Sequence, residues 1–209
     1  MSLKQLIVGV LMAVCTLMTH AAAQKNEKNE LSGLLGRTFI SDQGIRGGTF
    51  FDNNVHFGNG LTFEVNYARR VLQPGLASVS VEVPAVINWD EDLASDASQI
   101  PKNFKSYFVT PSARLNIFAN SAVSPWVSFG GGVGRFNESS ALISGVPSKT
   151  GTTTGAVQAG LGLDVSLFRR FSVRGEVRDF WSGVPQLNVD TGKSRQHNFF
   201  VAAGVVWHF

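Results

Sequence analysis

Apolar and polar residues alternate one by one along several stretches of this chain, and for longer than strands of soluble proteins run. Ala77, Val79, Val81, Val83, Ala85, Ile87 and Trp89 alternate with residues that include Ser78, Ser80, Glu82 and Asn88. Val157, Ala159, Leu161, Leu163, Val165 and Leu167 are set against Gln158, Gly160, Gly162, Asp164 and Ser166. The last stretch sets Phe199, Val201, Ala203, Val205, Trp207 and Phe209 against Asn198, Phe200, Ala202, Gly204, Val206 and His208. A period of two means a strand with two unlike faces. Soluble strands average about 5–6 residues, whereas strands that cross a bilayer need about 9–11.

The same pattern predicts about eight strands, near 32–41, 59–71, 76–89, 104–118, 125–136, 153–168, 171–183 and 197–209. Their connections alternate in length. Gln73-Pro74-Gly75, Asn120-Ser121-Ala122 and Arg169-Arg170 are turn-like, while 42–58, 90–103, 137–152 and 184–196 are long and polar. An even strand number puts both chain ends on one side, together with all three short joints. Short turns on one side and long loops on the other form the pattern of a transmembrane barrel. Thr49-Phe50-Phe51 and Val55-His56-Phe57 also look strand-like, which leaves a ten-stranded count open.

Hydrophobic residues make up 44% of the chain and charged residues 16%. No later segment approaches the ~20 apolar residues of a spanning helix. Backbone groups in lipid must be paired internally, so helices and closed barrels alone can cross it. The fold class predicted is all-β: a single antiparallel up-and-down transmembrane β-barrel.

Residues 1–23 carry the pattern of a cleaved signal peptide. Lys4 precedes an apolar run from Leu6 to about Met18, and Ala21-Ala22-Ala23 stands before Gln24. Met12-Ala13-Val14-Cys15 puts Val where a lipoprotein signal takes Gly or Ala. Cys15 is the single cysteine, so the mature chain is expected to hold itself together without disulfides. Residues 24–31 are then a periplasmic lead-in and 32–209 the barrel.

Aromatic residues gather at strand ends. Tyr67, Trp89, Tyr107, Trp126, Trp181 and Trp207 are expected to form two girdles at the membrane-water interfaces. Trp126 points inward by strand parity and is placed there as a strand-end residue. The same parity sends Arg37, Glu64, Glu82, Arg114, Asp164, Arg174, Glu176 and Arg178 into the lumen, four acids and four bases. An eight-stranded barrel is just wide enough inside for side chains to fill it. Buried charges are costly unless paired, so the set reads as a salt-bridged plug. A narrow ion path is the alternative.

Catalysis would need a nucleophile and a base at one level. His56, His197 and His208 are available, and His197 lies where it could meet Ser182 or Asp179; a polar rim residue is the preferred reading. Asp90-Glu91-Asp92 reads as a solvated loop rather than a calcium site. Gly130-Gly131-Gly132 is no phosphate loop, because no Lys-Ser/Thr and no helix follow it. No cofactor, metal or enzymatic activity is expected. The net charge of +3 is scattered, without a basic cluster interleaved with aromatics, so nucleic acid is not an expected partner.

Ser124-Pro125-Trp126-Val127-Ser128-Phe129-Gly130-Gly131-Gly132-Val133-Gly134 resembles the Pro-aromatic, glycine-rich strand of small bacterial outer-membrane barrels. So do Gly160-Leu161-Gly162-Leu163-Asp164-Val165-Ser166-Leu167 and Ser172-Val173-Arg174-Gly175-Glu176-Val177-Arg178. Over 31–209 the chain resembles the outer membrane protein β-barrel domain family, of the outer membrane protein A transmembrane type. That resemblance implies a place in the cell outer membrane. It makes Val205, Trp207 and Phe209 an assembly signal, read by the barrel assembly machinery as a transient partner. Outer-membrane lipids would surround what is expected to be a monomer. Pro84 and Pro111 depart from the pattern, because each removes a ladder hydrogen bond inside a strand; bulges or strand ends are expected there. Asp179 points outward near the upper rim. A cell-wall-binding domain after the barrel is not expected. The function implied is an integral outer-membrane protein with a filled lumen, acting structurally or through its external loops. A porin-like narrow channel and a lipid-modifying enzyme are the other readings.

Overall fold

The computed structural model describes residues 27–48, 51–97, 99–139, 142–143, 146–147 and 150–209. The signal segment 1–23 and Thr49-Phe50 lie outside the described residues. Eight wall strands follow one another: β1 (Asn29–Ile40), β2 (Asn59–Leu72), β3 (Ser78–Ala94), β4 (Asn103–Val109, then Ser112–Asn116), β5 (Val123–Glu138), β6 (Thr152–Phe168), β7 (Phe171–Gly183) and β8 (Arg195–His208). Each pairs antiparallel with the next. β8 returns to β1 in a ladder from Glu30↔His208 to Ile40↔Asn198. The sheet therefore closes on itself and leaves no edge. Asn29 and Phe209 exchange backbone hydrogen bonds of 3.0 and 2.9 Å at the closing seam.

The wall strands are long. β1 has 12 residues and β3 and β6 have 17, so several project beyond the bilayer they can span. The three short joints, between β2 and β3, β4 and β5, and β6 and β7, lie at one end of the barrel with both ends of the described chain. Gly75 turns the first of them with a φ of 66°. At the other end, Gln43–Gly44 and Asn54–Phe57 pair with each other, and the latter with Leu93 and Ala94 of β3. These short ladders lengthen a loop above the ring and add no wall strand, which settles the count at eight.

Three boundaries differ from the expectation. β1 begins at Asn29, inside the stretch read as a lead-in. β3 runs on to Ala94, so Asp90-Glu91-Asp92 belongs to a strand, and Glu91 is fully buried. β4 is broken at Thr110-Pro111, opposite Val83-Pro84. Glu82↔Ser112 and Ala85↔Val109 lie on one register across the break, so the two prolines sit in a single gap. The Thr110 N–H still reaches the Pro84 carbonyl at 3.4 Å, and the Pro111 carbonyl accepts from Gly131 at 3.2 Å. Gly130 and Gly132 face this gap from β5, where a Cβ would overlap the carbonyl oxygens of Pro111 and Val109.

The outer face is apolar from strand to strand. Leu35, Phe63, Val65, Val81, Phe129, Leu161 and Val201 all point away from the lumen and are exposed. A continuous apolar band of this kind is a liability in water and the normal outer surface of a barrel in lipid. Among the described residues, no helix is long and apolar enough to cross a membrane.

Candidate functional site

The lumen is filled in two layers of different chemistry. The layer near the short turns is ionic. Asp164 on β6 and Arg174 on β7 are cross-strand partners, and they form a bidentate pair, Nε to Oδ1 at 2.7 Å and Nη2 to Oδ2 at 2.8 Å. Arg178 takes Glu176 at 2.6 Å, Glu82 at 2.8 Å and Glu64 at 3.3 Å. Arg114 pairs with Glu82 at 3.4 Å and with Glu30, which also meets Arg174 at 3.2 Å. All three guanidiniums are buried. Low local dielectric and multiple hydrogen bonds make such a network stiff when it is satisfied.

Trp126 lies in the middle of it. The expectation of a girdle residue is corrected: the indole is 1% exposed, inside the lumen. Its Nε1 donates to Asp164 Oδ1 at 3.2 Å. The guanidinium carbons of Arg114, Arg174 and Arg178 lie 5.6, 5.2 and 5.2 Å from its ring, within cation–π range. Gly162, its partner on β6, makes the space; a Cβ there would overlap the indole. Strand parity had pointed inward, and an aromatic electron cloud gives three crowded cations a reason to accept it.

Arg37 is the second correction. It lies on the outer face of β1 with Leu35 and Phe39, while Leu34, Thr38 and Ile40 point inward. Its Nη1 donates to the Asn59 carbonyl at 2.6 Å. Adjacent Leu34 and Leu35 leave the phase of this strand open in sequence, and a long basic side chain near the outer end can carry its charge up to the headgroups. Glu30 takes the lumen place instead, which sequence reading missed because the strand was begun too late. Its parity with Ser32 was the available signal. The other seven lumen residues, Glu64, Glu82, Arg114, Asp164, Arg174, Glu176 and Arg178, are brought together as expected. Among the described residues the ionic layer then holds five carboxylates (Glu30, Glu64, Glu82, Asp164 and Glu176) against three guanidiniums. The expected set of four acids and four bases is corrected by the exchange of Arg37 for Glu30.

The layer nearer the long loops centres on phenylalanine, with Thr38, Ser106, Gln158 and Asn198 buried at the same heights. Phe104, Phe108, Phe136, Phe180 and Phe200 all point inward and are buried, with Leu34, Ile40 and Val86. Phe108 stacks on Phe180 at 4.7 Å, and Phe104 and Phe108 meet Phe136 edge-on at 5.7 and 5.9 Å. Sequence reading passed over this layer because it assigned apolar residues to the outer face. Above it, Val55, Ala97 and Ile100 form a smaller apolar cluster with Ile45 and Val189 from the loops and Leu93 from the end of β3. Glu91 accepts from Asn88 at 2.8 Å and from the Gly60 N–H at 3.1 Å beside it.

Tyr67, Trp89, Tyr107, Trp181 and Trp207 stay on the outer face, as the girdles require. Val205, Trp207 and Phe209 also face outward at the end of β8, with the Trp207 and Phe209 rings 4.6 Å apart. His197 bonds Asp179 at 2.7 Å on the outer face. Ser182 is buried on the inner face and accepts from Asn198 at 3.0 Å, so the wall separates the members of the His/Ser/Asp cluster. Among the described residues, no group of three or more His, Cys, Asp or Glu could hold a metal ion.

No protein-family model matches the chain, and no curated protein matches its sequence. Solved structures do match its fold. Neisserial surface protein A matches with a TM-score of 0.55 and 16% identity, over 87% of this chain and 97% of that one. Outer membrane protein OprG from Pseudomonas aeruginosa matches with a TM-score of 0.55 and 11% identity, over 90% and 98%. The chain has the fold of small outer-membrane β-barrels. Outer membrane protease OmpT from Escherichia coli also matches, with a TM-score of 0.42 and 10% identity over 90% and 98%. The expectation of a chain without enzymatic activity is corrected: a barrel fold of this kind hosts catalysts as well as other functions, so the fold does not carry that expectation.

Proposed function

We propose that this chain is a monomeric integral protein of the outer membrane whose lumen is closed by its own side chains and whose work is done by its external loops at the cell surface. The observation that carries this reading is the double filling of the lumen, a phenylalanine layer stacked over an ion-paired one. A hydrated ion passing along the axis would have to displace both. The long strands lift the loops clear of the membrane, where Val55 and its neighbours hold them against the barrel mouth. Purified, folded protein in planar bilayers is expected to show no discrete openings; regular conductance steps would overturn the closed lumen. The excess of carboxylates in the ionic layer favours a second reading, a narrow path for cations, and conductance steps with a preference for cations would establish it.

The reading extends to the route. Residues 1–23 are removed on export, and the outward-facing Val205, Trp207 and Phe209 present the last strand to the barrel assembly machinery. N-terminal sequencing of the mature protein is expected to begin at Gln24. Truncation of Phe209 is expected to lower the amount of heat-modifiable, folded barrel in outer-membrane fractions.

A further inference from the structure

A cavity of about 250 Å³ opens at the outer rim where β7, β8 and β1 meet. Its floor is aromatic and its upper wall is basic. Trp181 and His197 lie on the lipid-facing side of β7 and β8, their rings 6.4 Å apart, and Phe199 stacks below His197 at 5.8 Å. Lys193, just before β8, and Arg195, the first residue of β8, line the same cavity. The Arg195 guanidinium carbon stands 5.3 Å over the Trp181 ring, and its Nη1 makes a single long hydrogen bond, 3.4 Å, to the Gly155 carbonyl. Arg46 adds a further cation beside Gly192. Of the nearby acids, Asp190 accepts from the Gly192 N–H at 2.7 Å, and Asp179 is held at the cavity floor by His197, at 2.7 Å through Oδ2. Behind the cations the wall is rigid and polar, with Gln43 donating to Gln196 at 3.0 Å, both buried.

From this geometry we propose that the cavity seats the phosphorylated headgroup of an outer-leaflet lipid. The proposal rests on the outer-membrane reading above. Lys193 and Arg195 meet the phosphate, and Trp181, His197 and Phe199 pack along the first part of its acyl chains. The level fits the occupant. Trp181 belongs to the aromatic belt where headgroups lie, and cations directly above that belt face the phosphate plane. Arginine offers a phosphate a bidentate fork, and the loosely held Arg195 has donors to spare. Charge decides against a neutral lipid, which would leave two cations beside an aromatic floor with nothing to pair.

The test uses the full mature chain folded in maltoside micelles, its folding checked by heat-modifiable mobility. Calorimetry then compares a bis-phosphorylated acyl-glucosamine lipid with the same lipid after phosphatase treatment. The wild-type protein is expected to bind the phosphorylated form more tightly, and added salt to weaken it. The double variant Lys193→Gln/Arg195→Gln is expected to lose roughly tenfold or more of that affinity, and R195Q alone a smaller part. Arg135→Gln, on β5, is the control and is expected to bind as wild type does. Equal binding of the dephosphorylated lipid, an unchanged double variant, or equal affinity for inorganic phosphate would each overturn the proposal while leaving the membrane reading intact. Recovery of the protein in the aqueous phase without detergent would instead overturn both.

Discussion

Trp126 is the side chain on which most of the lumen network converges. It supplies one donor to Asp164 and its π system to three guanidiniums, which would otherwise repel one another in a low-dielectric space. Truncation to Ala is expected to cost about 3–5 kcal/mol of stability, as for other buried Trp sites. Trp126→Phe keeps the packing and loses the hydrogen bond to a charged acceptor, about 1.5–3 kcal/mol. Gly162→Ala pushes a methyl group into the indole and is expected to cost about 1–3 kcal/mol by overpacking. Urea unfolding followed by tryptophan emission reads all three. Glu30 and Arg37 give a paired contrast. Glu30→Ala leaves Arg114 and Arg174 short of a partner and is expected to be clearly destabilising, whereas Arg37→Ala on the outer face is expected to stay within about 0.5 kcal/mol of wild type. Equal effects of the two would contradict the assigned faces.

The phenylalanine layer is assembled from one strand after another, and no single strand encloses it. Phe108→Ala with Phe180→Ala removes the closest stacked pair and is expected to let short conductance events appear in planar bilayers where wild type is silent. The first external loop is held differently, by charge. His56 Nδ1 lies 2.6 Å from Asp42 and Nε2 lies 2.8 Å from Asp52. Both contacts call for the doubly protonated ring. The hydrogen bond with Asp52, then that with Asp42, raises the His56 pKa above its ordinary 6.5, and the His56 bond lowers that of Asp52 below 3.8. The raised His56 value makes its contribution full below pH 6.5 and lost as pH rises through the higher folded value. The depressed Asp52 value makes its contribution full above pH 3.8 and lost as pH falls below it. Hydrogen exchange over Val55–Phe57 is therefore expected, once corrected for intrinsic rate, to be slowest at about pH 4–6.5 and faster on the alkaline side. His56→Gln is expected to flatten that dependence. The prolines were legible as an irregularity in two strands, but not as a shared one. Pro84 and Pro111 are separated in sequence, and their coincidence follows from the register of β3 against β4.

Membrane residence belongs to the molecule as a whole. The protein is expected in the detergent phase on fractionation, migrating faster on gels before boiling than after; a soluble, heat-indifferent species would refute the assignment. Eight strands, their turns and loops, five of the six girdle aromatics and seven of the eight lumen charges could be read directly from period-two alternation, because in a barrel wall each residue faces either lipid or lumen and the sequence records that choice locally. Arg37 and Glu30 were misplaced where the local record is ambiguous, at a leucine pair and at a strand start. Trp126 was misplaced because residue type was allowed to outweigh parity. The filling of the lumen was not legible in the same way. Which cation meets which acid, that three arginines share one indole, and that five inward phenylalanines form a single layer all depend on shear and register, which bring distant positions to one height. Alternation by itself determined the wall. Closure of that wall decided its contents, because residues facing a common interior from strands that are not paired become neighbours only when the last strand meets the first.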